Sequence, residues 1–274
     1  MKKLCLLLIV LSTAVWCSAT LVEFDNSAEF TSNFNVIEEG AAGSTTYSTD
    51  AGVGGTAGRV NTTGITTVSG EGIYTKNQVD PDDGTFSASF YFLAAAYTDT
   101  EISRIALGLS PDSANLRASS EVQARLMKNG DTSATFEIRD AGNGTVSGNL
   151  FTEVTTTGVT LTDDHWYKLS ATFSTYGSSS MEVIASLIDF GTDGVTQGLT
   201  IATAHGARSD PTDFGNTGAK FPLNVGILAQ NDGGGSIAID NIDVPVTVVP
   251  EPATLGLFGI SGIFVLLLRR WTRA

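Results

Sequence analysis

Short segments with β-sheet character, separated by turn residues, recur along most of the chain and limit the folds open to it. In the clearest segment, residues 166–173, apolar side chains alternate with polar ones, and the apolar positions are Tyr167, Leu169, Ala171 and Phe173. A period of two residues places such side chains on one face of a strand. Turn residues follow at spacings of roughly 8–12 residues, and no long window has a clear helical period. The pattern predicts an all-β fold, an antiparallel β-sandwich.

A hairpin is predicted where residues 122–127 and 135–139 flank the turn at 128–131. Phe136 and Ile138 are expected on one face of the second strand, with Glu137 and Arg139 on the other. The other predicted strands cover residues 21–24, 34–37, 59–61, 73–75, 85–93, 105–109, 151–161, 181–189, 195–201, 223–229 and 236–244.

The first residues have the three parts of a secretory signal peptide. Residues 1–3 are a short basic start, residues 4–15 are apolar, and small residues precede a signal peptidase cut after Ala19. The apolar run is too short to span a membrane as a helix. We therefore expect the secretion machinery to export the chain and remove residues 1–19.

The last segment, residues 247–274, combines a proline-rich motif, an uncharged apolar run and a basic end. A helix over the 16 residues 253–268 would be about 24 Å long, against a hydrocarbon core of roughly 30 Å. Basic residues stay on the cytoplasmic side of a membrane, so the body would lie on the far side. We predict a single transmembrane helix over 253–268. The motif is Val249, Pro250, Glu251 and Pro252, and the basic residues are Arg269, Arg270 and Arg273.

This arrangement at the end of the chain closely resembles the PEP-CTERM sorting signal of Gram-negative bacteria that produce exopolysaccharide. The resemblance rests on Val249 to Thr254, the apolar run and the terminal arginines, behind a signal peptide. It implies that an exosortase-type membrane protease recognises Pro250, Glu251 and Pro252. That protease would remove the tail, so the protein would be anchored only transiently before it reaches the cell surface or the medium.

The body between the two signals, residues 20–246, resembles concanavalin-like and laminin G-like jelly rolls. Residues 166–173 carry the likeness, together with the final strand at residues 239–244, which leads into the tail. The resemblance implies a single jelly-roll domain, and a fold of this kind does not specify a function.

The body is strongly acidic. Apart from the terminal segments it has 10 Lys and Arg against 28 Asp and Glu, a formal charge of −18. Nucleic-acid partners need a basic surface and are therefore not expected, whereas divalent cations would be attracted. Both cysteines, Cys5 and Cys17, lie in the signal peptide, so the exported domain would have no disulfide.

No sequence motif points to catalysis, and we expect the protein not to be an enzyme. The histidines, His165 and His205, are 40 residues apart, and the nucleophile motif Gly-x-Ser-x-Gly is absent. The Glu-x-Asp-x-x-Glu pattern of sandwich-fold glucanases is also absent. The glycine-rich residues 52–55 lack the Gly-Lys-Ser/Thr sequence and the helix of a phosphate-binding loop, which favours a turn.

Two kinds of ligand remain open. Carboxylates and amides in turns could bind calcium, although the same residue types are also ordinary turn formers. Exposed aromatic residues could bind the faces of sugars in an extracellular polysaccharide. The calcium candidates are Asp80, Asp82, Asp83, Asp240, Asn241 and Asp243, and the aromatic candidates are Tyr74, Tyr97 and Tyr176.

These observations predict an exported, non-enzymatic protein of the cell surface or extracellular matrix. One alternative is a carbohydrate-binding module that acts on exopolysaccharide. A further alternative is an enzyme that cleaves polysaccharide.

Overall fold

Antiparallel β-sheet accounts for most of the body. A computed structural model describes residues 18–38, 44–63, 70–79, 85–93, 102–110, 122–128, 133–139, 151–175, 181–208, 223–231 and 236–246. Ala19–Val246 is one compact unit, and a second unit comprises Met1–Ser18 and Thr247–Ala274. The predicted sorting motif, transmembrane helix and basic end lie outside the described residues, as do residues 1–17 of the predicted signal peptide.

The first sheet has nine strands. Its edge strands are β10 and β3, and β1 pairs with β16 beside the main path. β1 begins at Ser18, so the predicted cut after Ala19 falls within it. In sheet order the strands are β10 (Phe151–Val154), β14 (Thr200–Arg208), β13 (Met181–Asp189), β12 (Trp166–Thr175), β6 (Thr85–Leu93), β16 (Ser236–Val246), β4 (Arg59–Thr63) and β3 (Ser44–Ser48), with β1 (Ser18–Val22).

The second sheet has seven strands, all paired antiparallel to their neighbours. The two-sheet, antiparallel architecture confirms the predicted fold class and is consistent with a concanavalin-like sandwich. In sheet order the strands are β11 (Thr156–Val159), β9 (Ala134–Arg139), β8 (Val122–Lys128), β7 (Ile102–Ser110), β15 (Leu223–Asn231), β5 (Gly70–Val79) and β2 (Phe34–Glu38).

One continuous apolar core joins the inner faces of the two sheets. From the nine-stranded sheet it contains Phe90 and Leu169, and from the seven-stranded sheet Leu107, Leu126 and Phe136, all with no exposed surface. The alternation predicted for β12 is confirmed, because its apolar residues enter this core at every second position. Burial of apolar surface from both sheets is the main stabilising contribution.

The predicted hairpin is confirmed in its strands and in its faces. β8 pairs with β9, with Leu126 opposite Phe136 in the core and Arg125 opposite Glu137 on the other face.

The predicted strand at 151–161 is divided between the two sheets. β10 pairs with β14 in the nine-stranded sheet, whereas β11 pairs with β9 in the seven-stranded sheet. The Thr156 hydroxyl donates to the Thr203 carbonyl at 2.8 Å and accepts from the Thr203 N–H at 3.1 Å. The chain thus passes from one sheet to the other while a side chain satisfies the backbone groups of the strand that it leaves.

The strand predicted at 195–201 is wrong over most of its length. Residues 190–199 form a turn followed by bends and irregular backbone, and β14 begins only at Thr200. The Asp193 carboxylate accepts from the backbone N–H groups of Val195 and Thr196, at 2.9 and 3.2 Å. This side-chain bonding competes with strand pairing, which the apolar and β-branched residues alone had suggested.

The structure also contains a helix that the sequence pattern did not predict. α1 (Ser27–Asn33) follows Asn26, whose side chain accepts from Ala28 N and Glu29 N. A seven-residue helix is too short to show a period, and its capping residue was the available signal.

Candidate functional site

The outer face of the seven-stranded sheet carries polar side chains beside a strip of small residues. Val122, Ala124 and Leu126 of β8 face the core, so Gln123 and Arg125 lie on the opposite face. Across this face the register aligns residues from β5 to β9 in one row, which is Tyr74, Gly226, Gly108, Gln123 and Arg139. Two glycines without side chains therefore separate an aromatic ring from an amide and a guanidinium group.

The adjacent row contains a buried ion pair. Arg125 Nε donates to Glu137 Oε1 at 2.7 Å, and the Arg125 side chain is only 3% exposed. Burial lowers the pKa of Arg125, while the hydrogen bond to Glu137 acts in the opposite direction. Moving either side chain away would leave the charge of the buried Arg125 unpaired, which is costly. The ion pair therefore fixes the positions of both side chains. The alternation of β9 predicted Glu137 on this face, whereas no sequence signal pointed to Gln123 or Arg125.

Of the three aromatic residues proposed for sugar binding, only Tyr74 lies among the described residues. It is partly buried and packs against a small apolar cluster of Ile37, Ala106 and Leu228 on the same outer face. Tyr97 and Tyr176 lie outside the described residues.

The outer face of the nine-stranded sheet has a different character, because two loops cover an apolar cluster there. The cluster contains Val53, Trp166, Phe190 and Ala238. Gly54 N donates to the Asp193 carbonyl at 2.9 Å, which joins the loop before β4 to the loop before β14. Val53–Gly55 forms a single 3-10 turn followed by a strand, so the prediction of a turn at 52–55 is confirmed.

Asp240 on β16 anchors the first of these loops. Its Oδ2 accepts from the Val53 N–H at 2.7 Å and from the Thr56 hydroxyl at 3.0 Å. A β-bulge follows in the pairing with β6, where Asn241 has a φ of 45°. The bulge returns Ile242 to the core and leaves Asp240 beneath the loop.

The environment of Asp240 disfavours its charge. The side chain has no exposed surface, and burial raises the pKa of its carboxyl to about 6. Hydrogen bonds from the Val53 N–H, the Asn241 N–H and the Thr56 hydroxyl act to lower this pKa, whereas repulsion from Glu23 contributes to its rise. The second carboxylate oxygen, Oδ1, is buried and has no hydrogen-bond partner among the described residues.

The structure describes three of the predicted calcium ligands, Asp240, Asn241 and Asp243. Asp243 lies on the partly exposed outer face of β16, and Asp80, Asp82 and Asp83 lie outside the described residues. Among the residues that the structure does describe, no three His, Cys, Asp or Glu side chains cluster as a metal site would require. Of the predicted ligands that the structure describes, Asp240 is fully buried, and the side-chain oxygen of the adjacent Asn241 is buried as well.

His165 forms a local constellation with Asp189 and Tyr167. Its Nδ1 lies 2.9 Å from Asp189 Oδ1, and since a carboxylate only accepts, Nδ1 carries the proton. The same Oδ1 accepts from Gly191 N at 2.7 Å, and the Tyr167 hydroxyl accepts from Thr162 N at 2.7 Å. Burial raises the pKa of Tyr167. These bonds hold the turns before β12 and after β13.

His205 lies at the opposite end of β13 from His165. Its Nε2 is 2.8 Å from Oε1 of Glu182, the second residue of β13, whereas Asp189 is the last residue of that strand. Seven residues of β-strand separate the two carboxylates by roughly 23 Å. The two histidines therefore do not form a shared metal site, and each is paired with its own acid.

The end of the chain matches a known sorting signal. Residues 248–270 match the family model described as the PEP-CTERM protein-sorting motif. The match contains Val249, Pro250, Glu251 and Pro252, as well as Arg269 and Arg270, and it confirms the predicted identity of this segment. It indicates an exported protein that an exosortase-type system sorts through its C-terminal region. Among the described residues, no helix has the length and apolar character needed to cross a membrane.

The body has structural neighbours but no sequence relative among curated proteins, where nothing matches. The carbohydrate recognition domain of Emp46p, potassium-bound, is 12% identical with a TM-score of 0.46, over 80% of this chain and 90% of that one. A legume lectin-like domain from Entamoeba histolytica is 9% identical with a TM-score of 0.47, over 83% and 97%. The PL-14 alginate lyase from Aplysia kurodai is 10% identical with a TM-score of 0.46, over 82% and 96%. Structural neighbours at these identities and TM-scores do not support an inference about the function of this chain.

Proposed function

We propose that the protein is an exported, non-enzymatic component of the cell surface or extracellular matrix. The observation that carries this proposal is the sorting motif at residues 248–270. A signal peptide would start export, and the apolar run 253–268 would hold the chain in the inner membrane until an exosortase-type protease acts at Pro250, Glu251 and Pro252. The exported body would then be released or anchored outside the cell.

The acidic and histidine side chains of the body support a structural role for this domain. Asp240 holds a loop through Val53 and Thr56, and Asp189 holds a turn through Gly191 while it also binds His165. Each of these carboxylates accepts a hydrogen bond from a backbone N–H group and so fixes the conformation of a loop or a turn. A domain stabilised in this way suits a protein whose task is to persist outside the cell.

The sorting step predicts the behaviour of Glu251→Ala. Without the central acid of the motif, the protease should no longer recognise the tail, so full-length protein should accumulate in the inner membrane. Mass spectrometry of membrane and extracellular fractions would measure this. Asp163→Ala, which removes an exposed acid of the body, should be processed like the wild type. Normal processing of Glu251→Ala would contradict the proposed route.

Carbohydrate binding is the second candidate, and the outer face of the seven-stranded sheet favours it. The partly buried Tyr74 ring and the exposed Arg139 guanidinium group lie at the two ends of this row and are group types that bind the faces and hydroxyls of sugars, whereas the Gln123 amide between them is fully buried. On this proposal, the ligand would be a polysaccharide of the matrix to which the protein is exported.

A glycan array followed by calorimetry tests the second candidate. The wild type should bind a defined glycan with a micromolar Kd, and Tyr74→Ala should weaken that binding about tenfold or more, equivalent to roughly 1.4 kcal/mol. Tyr91→Ala is the matched control, because Tyr91 is a partly buried tyrosine on the outer face of the other sheet. If no glycan binds, or if both variants lose affinity equally, carbohydrate binding at this face is contradicted and only the structural role remains.

A further inference from the structure

Two exposed apolar side chains lie in one row on the outer face of the nine-stranded sheet. Val154 is 45% exposed and Ile184 is 55% exposed. Across β10, β14, β13, β12 and β6, the register aligns Val154, His205, Ile184, Thr172 and Ser87. Ile184 is the third residue of these five. The most exposed apolar side chain therefore stands at the middle of an open part of this face, away from the apolar cluster that two loops cover.

The hydroxyl groups beside Ile184 form hydrogen bonds with one another across the strands. Ser87 Oγ and Thr172 Oγ1 lie 2.9 Å apart, and Thr85 Oγ1 donates to Ser174 Oγ at 3.2 Å. Covering a polar group is costly mainly when its hydrogen bonds are lost. Because these groups keep their partners within the sheet, another surface can cover them at little cost, and their small side chains allow it to approach closely.

The same face is nearly neutral, although the body is strongly acidic. Among the described side chains, the outer faces of β6, β12, β13 and β14 carry one acid, Glu182, and one lysine, Lys168. Glu182 Oε1 lies 2.8 Å from His205 Nε2, and Asp243 of β16 borders the face. The whole body has 10 Lys and Arg against 28 Asp and Glu, so two copies repel each other in most orientations. Repulsion is smallest at this face, which favours a second copy of the chain over a partner recognised by its charge.

The size of the face indicates how tightly two copies can associate. Four strands spaced about 4.8 Å apart, with nine residues of about 3.3 Å each, form a rectangle of roughly 19 by 30 Å. The loops that contain Val53 and Phe190 cover one end of this rectangle. A stable complex typically buries about 800 Å² on each partner, so the remaining area fits a weak dimer.

We propose that the outer face centred on Ile184 is a dimer interface, at which a second copy of this chain docks. In a two-fold symmetric contact the same patch meets itself. Ile184 would then pack against the partner's Ile184, and the contact would also remove the exposed surface of Val154 from water. Burial of these apolar groups would drive the association. This inference does not depend on the proposed function.

Sedimentation equilibrium of the full-length chain in density-matched detergent tests this interface. Between about 5 and 500 µM the average mass should rise from one chain towards two, with a Kd of about 100 µM. Ile184→Glu places like charges opposite each other and should weaken association about tenfold or more. Leu199→Glu is the matched control, because it makes the same change at a side chain 80% exposed on the loop before β14, and it should associate like the wild type. A wild type that stays monomeric, or equal association of the two variants, would overturn the proposal.

Ionic strength provides a second test that needs no variant. Because the bodies repel each other and the contact itself is nearly neutral, raising NaCl from about 20 to 500 mM should lower the Kd about threefold. An interface formed by opposite charges would respond in the other direction. A Kd that stays the same or rises with salt would therefore overturn the proposal, even if Ile184→Glu does not fold.

Discussion

At the scale of single residues, the buried carboxyl group of Asp240 makes the stability of the domain depend on pH. Asp240 is buried without a described basic partner, and its pKa is raised to about 6 from an ordinary value of 3.8. An acid whose pKa is higher in the folded state binds its proton more tightly there. Its contribution to stability is therefore fully present below about pH 3.8 and is lost as the pH rises through 6.

This raised pKa predicts a pH dependence that Asp240→Asn should remove. In EDTA, the free energy of unfolding of the wild type relative to Asp240→Asn should fall between pH 4 and pH 7, by up to roughly 3 kcal/mol. Urea denaturation at several pH values would measure both proteins. Taking the difference cancels the other carboxyl groups, such as Asp193, whose pKa is lowered by hydrogen bonds from Val195 and Thr196. A difference that is constant with pH would contradict the prediction.

Local chemistry of this kind was only partly predictable from the sequence. Asp240 was identified as an oxygen ligand in a strand-end segment, but its burial was not. The consecutive polar residues Asp240 and Asn241 interrupt the alternation of the strand, and the bulge at this point changes which side chains face inward. Such a bulge depends on pairing with β6 and β4, and no local pattern records those partners.

At the scale of elements, the turn between β13 and β14 is held against Trp166 by glycines. Gly191 and Gly194 have φ values of 65° and 70°, which other residues rarely adopt. A Cβ at Gly194 would lie 3.0 Å from Val53 Cγ1 and 3.2 Å from Trp166, whereas a Cβ at Gly191 would contact nothing within 4 Å. The two positions share the conformational requirement and differ in packing.

This difference predicts unequal effects of two alanine substitutions. Gly191→Ala should lower the free energy of unfolding by about 1 kcal/mol, the cost of the left-handed conformation alone. Gly194→Ala should lower it by about 1–3 kcal/mol more, because its methyl group crowds the indole ring. Denaturant titration, with fluorescence reporting on Trp166, would measure both variants. Equal destabilisation would show that the loop can move away from Trp166 at no cost.

Elements with strong periodicity were predictable, and those that depend on partners were not. β12 and the β8–β9 hairpin followed from alternation, because one face of each is in the core. The strand expected at 195–201 failed because the Asp193 side chain bonds to the backbone there. The segment at 151–161 is extended as predicted over most of its length, but its division between two sheets was not predicted, since that division is a property of the whole sandwich.

At the scale of the whole molecule, the two sheets are stabilised by one shared core. Leu107 of the seven-stranded sheet and Leu169 of the nine-stranded sheet are both fully buried within it. Apolar contacts between the sheets should therefore make them unfold together.

The shared core predicts cooperative loss of stability from either sheet. Leu107→Ala and Leu169→Ala should each lower the free energy of unfolding by about 2–5 kcal/mol. Ile184→Ala, at a side chain 55% exposed on β13, should cost less than about 1 kcal/mol. Far-UV circular dichroism and tryptophan fluorescence should give coincident transitions in every variant. Separate transitions for the two probes would contradict a single cooperative unit.

The strand character of the body, the inward face of β12 and the sorting signal at the end could all be read from the sequence alone. Alternation and composition are local properties, and the sorting motif is a linear signal. The order of the strands follows from the tertiary fold, and with it the hydrogen bond between Val53 and Asp240, which are 187 positions apart. Contacts of this kind arise from the order of strands in a sheet. That order depends on burying both sheets against each other, which no segment can accomplish alone.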